Sequence, residues 1–149
     1  MRDIRPCRSR ASGPTLTPVT VMRVGDLTQT NLVTAAPDEC LADAALRMCE
    51  NGVGSLAITD GDSLAGVLTE RDVLTAVADG AASEITPVSD YMSDEPLVAA
   101  PDLELDEAVA LMVEHGIRHL PVVRHGVPVG MISARDVLEA RDREHRAAG

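Results

Sequence analysis

The chain has no Phe, Trp or Lys among its 149 residues, and Tyr91 is its only aromatic side chain. All thirteen basic residues are therefore Arg. Its three cysteines, Cys7, Cys40 and Cys49, are scattered too unevenly for a disulfide framework. Cys40 and Cys49 lie nine residues apart on one predicted helix, so they point to opposite faces and cannot share a bond or a metal. A reducing cytoplasm is the expected compartment. No apolar run approaches the roughly 18 residues a spanning helix needs. No Gly-rich phosphate loop is present either: Gly52-Val53-Gly54 follows a helix and precedes a strand, the reverse of the order that motif requires. His115, His119, His125 and His145 lack metal-ligand spacing, and none stands in a nucleophile-and-acid arrangement. The pattern points away from catalysis and from a bound metal.

Charge is the next constraint. The first twenty residues hold four Arg and one Asp, which leaves nine Arg against 23 acids in residues 21 to 149, a net of about -14. So acidic a body repels nucleic-acid phosphates and an anionic membrane surface alike. Residues 1–21, rich in Arg and Pro without apolar periodicity, read as a disordered leader. They lack the apolar centre of a signal peptide, and Met22 is a candidate start.

What the chain does have is an internal copy of itself. Residues 24–76 and 88–140 align at an offset of 64 without a gap, with 18 of 53 positions identical. Each unit would expose an apolar face alone, so the two should pack against each other about a pseudo-twofold axis with clefts along the seam. The expected organisation is repeat one over 22–80, a linker over 81–87, repeat two over 88–142 and a tail over 143–149.

Within repeat one, Leu41, Ala44, Ala45 and Met48 follow helical spacing, opened by Asp38 and Glu39 and closed by Gly52. Leu105, Ala108, Val109, Met112 and Gly116 repeat the pattern. Two short apolar runs joined by a polar, Gly-containing link follow in each copy, at 55–59 and 64–68 and again at 119–123 and 127–132, a hairpin signal. A second helix starts at Thr69 or Ser133. With a short extended piece near Val33 or Val98, the unit reads β-α-β-β-α, an α/β (α+β) arrangement with the two copies packed sheet to sheet.

That order, with Gly66-Val67-Leu68-Thr69-Glu70-Arg71-Asp72 in one copy and Gly130-Met131-Ile132-Ser133-Ala134-Arg135-Asp136 in the other, resembles the cystathionine-β-synthase (CBS) domain pair, or Bateman module. The openings at Val24 and Val88 and the stretch from Gly116 to Val123 match as well, so the resemblance covers about residues 22 to 142. It implies a stand-alone regulatory module that binds an adenine nucleotide or adenosyl metabolite: AMP, ADP, ATP, NADH or S-adenosylmethionine. With no tryptophan or phenylalanine to stack on, adenine would lie against aliphatic side chains and backbone. The resemblance further implies a homodimer, no required cofactor, and an effector protein of unknown identity.

Asp72 and Asp136 would then hold ribose hydroxyls, with Thr69 and Ser133 on ribose or phosphate. These pairs are also plain capping boxes. Arg71, Arg135, Arg118 and Arg124 lie at or near the strand ends where a phosphate would come, and Arg suits bidentate bonds to phosphate. Pairing with nearby Asp and Glu is their other reading. Arg118-His119 takes the place of Gly54-Ser55, so the two clefts should differ chemically. Thr34 and Val98 match cleft-lining positions of related modules, or are ordinary strand residues. The alternative function is a constitutive dimeric scaffold whose clefts take no physiological nucleotide.

Overall fold

A computed structural model describes residues 20–28 and 32–149; the rest of the expected leader lies outside the described residues. Each repeat builds a helix, a hairpin and a second helix. In repeat one these are α2 (Leu41–Asn51), β2 (Ser55–Asp60), β3 (Ser63–Thr69) and α3 (Glu70–Ala78). In repeat two they are α4 (Leu105–His115), β5 (His119–Arg124), β6 (Val127–Ser133) and α5 (Ala134–Ala147). The short strand β1 (Thr34–Ala35) runs parallel to β2, and β4 (Ser93–Asp94) adds antiparallel to β3, so the first sheet has the order β1-β2-β3-β4. The second sheet is the β5-β6 hairpin. The extended piece expected near Val98 shrinks to a single parallel bridge, Ala99 to Val122.

Local chemistry explains most boundaries. Gly52 and Gly116 both take the left-handed conformation at φ 62° that ends α2 and α4, a geometry that costs a side-chain-bearing residue more. The start of α2 differs from expectation: the helix begins at Leu41 with Cys40 as its N-cap, and Asp38 and Glu39 stay outside it. Glu39 is drawn off by other partners, because its carboxylate accepts from the Ala36 amide at 2.9 Å and pairs with Arg47 at 2.8 Å. Burial pushes that carboxyl's pKa up, but Arg47 and the Ala36 amide outweigh it and hold the group below its usual range. At the other end α5 runs through the expected tail to Ala147, carrying the i,i+4 pairs Arg143–Glu139 at 3.7 Å and Arg146–Asp142 at 2.9 Å.

The two cores exchange their opening segments. Val24 sits in α1 (Val24–Leu27), at the opening of repeat one, yet it is buried among Leu105, Ala108, Leu120, Ile132 and Val137 of repeat two. The Val24 and Gly25 amides donate to the Leu103 and Pro101 carbonyls, and the Leu105 amide donates back to Met22. The mirror contact forms at residues 86–92. Val88 is buried among Leu41, Leu56, Ile58 and Leu68, and its amide donates to the Glu39 carbonyl at 2.8 Å. Each apolar core is therefore finished by the opener of the other copy. Neither repeat buries its own apolar face alone, which ties the two into one body.

Candidate functional site

The polar chemistry of each repeat collects where its hairpin turns into its last helix. Thr69 and Ser133 are the N-caps of α3 and α5, extended at φ -110° and -112°. In α5 the Ser133 amide and hydroxyl both donate to Asp136 Oδ2, at 2.7 and 2.8 Å, and the Asp136 amide donates to Ser133 Oγ at 3.2 Å. Thr69 and Asp72 repeat this at 2.8, 2.9 and 3.3 Å. The capping-box reading is therefore correct. All described bonds to each Asp fall on one oxygen, and the second oxygen is left as an acceptor that a ligand hydroxyl can use.

The helix starts offer an anion few free donors. The first amide of α5, at Ala134, donates to the Arg118 carbonyl at 2.8 Å, and that of α3, at Glu70, donates to Gly54 at 3.0 Å. The cap and third-residue amides are held inside the box. Only the amide of the second residue, Arg71 or Arg135, stays without a described partner. Each helix start is therefore largely closed to an anion, because Gly54 and Arg118, just ahead of the hairpins, accept from the first helical amide.

A cavity of about 830 Å³ opens between the repeats. Ser133, Arg135, Asp136, Arg118 and His119 line it from repeat two, together with Met131, Ala134 and Glu139. Repeat one contributes Leu32, Val33, the end of α2 with Met48 and Cys49, the stretch 51–55, Glu70 and Val73. Thr69, Arg71, Asp72 and Val98 do not line this cavity; the first three sit at the matching junction of repeat one. Thr34 does not line it either. Its neighbour Val33, just ahead of β1, does, and Thr34 lies on an adjoining open groove with Glu39 and Arg47 that Leu32 and Val33 also border. Of the four Arg singled out, only Arg135 has an ion-pair partner among the described residues, Glu139 at 3.0 Å.

The asymmetry at Gly54-Ser55 has a geometric consequence. A Cβ placed on Gly54 would touch the His119 ring at 3.4 Å and the Glu70 carboxyl at 3.5 Å. These are ordinary contact distances, so Gly54 of repeat one and the imidazole of repeat two meet side by side in the cavity lining. Burial, and then the adjacent Arg118 guanidinium, push the His119 pKa below its usual value, against the opposing pull of Glu70 and Asp136. Sequence reasoning missed Glu70, Glu139, Leu32 and Val33. The two acids sit beside motif residues and carried no pattern of their own, and Leu32 and Val33 precede β1 and enter the cleft only through tertiary packing.

The CBS domain model matches residues 24–79 and 88–143. An uncharacterized protein of Methanopyrus kandleri, MK0525, is 35% identical over 119 residues, covering 78% of this chain and 61% of its own length. The present chain therefore spans less than two thirds of that relative. The CBS domain-containing protein YhcV of Bacillus subtilis is 34% identical over 127 residues, which is 85% of this chain and 89% of YhcV. Among solved structures, a putative signal-transduction protein with CBS domains from Burkholderia ambifaria superposes at TM-score 0.77 with 32% identity, covering 80% of this chain and 93% of that one. The CBS domain pair of protein MJ0100, in complex with 5′-methylthioadenosine and S-adenosylmethionine, superposes at 0.78 with 21% identity, over 83% and 98%, and at that identity shares the fold. Matched over both of its repeats by the CBS model, the chain is a tandem pair and belongs to the CBS-domain family.

Proposed function

We propose that the chain is a regulatory, non-catalytic module that binds an adenine nucleotide or adenosyl metabolite in the cleft between its repeats. The observation that carries this reading is the convergence of Asp136, with one carboxylate oxygen unused, on an inter-repeat cavity of about 830 Å³ that also has apolar walls. That volume lies within the ordinary range for small-molecule sites. Asp136 would accept from ribose hydroxyls, and Ser133 would stand beside it. Leu32, Val33, Val53 and Met131 would hold the base, which suits a chain without a stacking ring. The adenosyl complexes of the MJ0100 domain pair support the ligand class at the level of shared fold. Asp72 and Thr69 would serve a second, related cleft, with Arg71 at its edge.

The signal would leave through contacts on the outer helix faces. Leu74 on α3 is 68% exposed and Leu138 on α5 is 70% exposed, at matching positions of the two repeats. Covering both by a second copy would make a cytoplasmic homodimer, which then acts on an effector protein. A ligand shifts such an assembly only through its different affinity for two arrangements, typically about 1–3 kcal/mol.

The completed capping boxes favour a second reading, a constitutive scaffold with no nucleotide. A thermal-unfolding panel on the full chain with AMP, ADP, ATP, NADH and S-adenosylmethionine separates the two. A ligand at 100 times its dissociation constant adds about 2.7 kcal/mol, and the shift should vanish in the double variant Asp72→Asn, Asp136→Asn. No shift with any of the five, on a folded dimer, would leave the scaffold reading standing.

A further inference from the structure

The charges that line the cavity discriminate among the compounds proposed for it. Its carboxylates are Glu70, Asp136 and Glu139, and its guanidinium groups are Arg118 and Arg135. Three acids against two bases leave the lining at -1, inside a chain whose net charge is -11. The two bases are not equally available. Arg135 Nε donates to Glu139 Oε1 at 3.0 Å, while Arg118 has no ion-pair partner among the described residues. An exposed pair such as Arg135–Glu139 is worth little in stability, yet Glu139 remains in the wall whichever way Arg135 turns. Glu70 and Asp136 have no cationic partner among the described residues and face the same space.

The other usual sources of positive potential are largely used up. His119 on the floor favours its neutral form, as described above, and supplies no fixed cation at neutral pH. The start of α5 gives its Ala134 amide to Arg118 O and its Ser133 and Asp136 amides to the capping box, which leaves the Arg135 amide. A nucleoside triphosphate entering this cleft would bring several negative charges to one uncommitted Arg and one amide. Coulomb repulsion from Glu70, Asp136 and Glu139 works against it.

Resting on the functional reading above, we propose that the Ser133–Asp136 cleft selects an adenosyl ligand of zero or positive net charge, such as a thioether or sulfonium nucleoside, and rejects nucleoside polyphosphates. Glu70 and Glu139 are the specificity-determining residues: Glu70 adds an unpaired carboxylate to the lining, and Glu139 offsets the charge of Arg135.

The test is isothermal titration calorimetry on the full chain carrying Asp72→Asn, which silences the related junction of repeat one. The probes are 5′-methylthioadenosine, S-adenosylmethionine, AMP, and ATP with and without magnesium. The two uncharged or cationic compounds should bind at least about tenfold tighter than ATP, a factor that corresponds to 1.4 kcal/mol. Glu139→Gln should then raise AMP affinity and Glu70→Gln should lower S-adenosylmethionine affinity, each by several-fold, with methylthioadenosine moving least. AMP or ATP binding as tightly as methylthioadenosine would overturn the charge assignment while leaving the adenosyl site in place. Binding of none of the four compounds, with the parent fold intact, would remove the adenosyl reading itself and this inference with it.

Discussion

Replacing Asp136 by alanine should cost stability as well as ligand binding, and the structure sets the size. The Asp136 carboxylate accepts two hydrogen bonds in the first turn of α5, from the Ser133 amide and hydroxyl at 2.7 and 2.8 Å. It also places negative charge at the positive end of a 14-residue helix. The alanine variant keeps the reverse bond, from the residue 136 amide to Ser133 Oγ, so half of the box survives. Losing the charged half should destabilise by about 1–2 kcal/mol, and for a chain of this size that lowers the melting temperature by roughly 3–6 °C. Asp136→Asn retains an oxygen that can accept and should lose less than half as much. Asp72→Ala should cost about the same as Asp136→Ala, because its bonds are within 0.1 Å of the same lengths. The two boxes sit on separate helices, so the effects should add. Calorimetric melting and urea unfolding of the parent, both Asn variants, both Ala variants and the double Ala variant measure all of this. Alanine variants that melt within 1 °C of the parent would refute the capping argument. Loss of binding in an Asn variant that melts normally identifies a ligand contact, which an Ala variant cannot do alone.

Three further outcomes follow from particular contacts. Gly66→Ala should destabilise by about 1–3 kcal/mol, since its Cβ would lie 2.6 Å from the Ser93 carbonyl oxygen and 2.9 Å from Met92 Sδ; an unchanged urea midpoint would show that β4 is free to move off. Val24→Ala should loosen hydrogen exchange first in β5 and β6 rather than in its own repeat one, because Val24 is buried in the repeat-two core, and protection lost first in β2 and β3 would contradict the exchange of openers. The lowered His119 pKa means that the unfolded chain takes up a proton before the folded one does, so its contribution is present above about pH 6.5 and fades as pH falls below it. His119→Gln should flatten that limb of the stability–pH curve, and a slope unchanged by the substitution would assign the effect elsewhere.

The duplication, the helical spacing of Leu41, Ala44 and Met48, the two hairpins and the Thr69/Asp72 and Ser133/Asp136 motifs were all legible in the chain alone, because each depends on residues within a few positions of one another. The same locality explains the correct placement of the helix starts at Thr69 and Ser133, where the cap and its partner lie three residues apart. The start of α2 was misread because Glu39 has a competing partner in Arg47 eight residues on, a contact that composition at the helix start does not register. Whether a side chain faces the cleft was decided by tertiary structure. The sheet packing sets Val33 rather than Thr34 toward the cavity, and the passage of Arg118 and Gly54 beneath α5 and α3 takes the amides that a phosphate would have used. The exchange of Val24 and Val88 between cores joins residues more than seventy positions apart in one case, and no local pattern announces it. The sequence by itself thus determined the two units and their capped junctions, through short-range periodicity and hydrogen bonding. Only the folded chain decided which charges share the cleft, because that depends on two segments meeting across the pseudo-twofold seam.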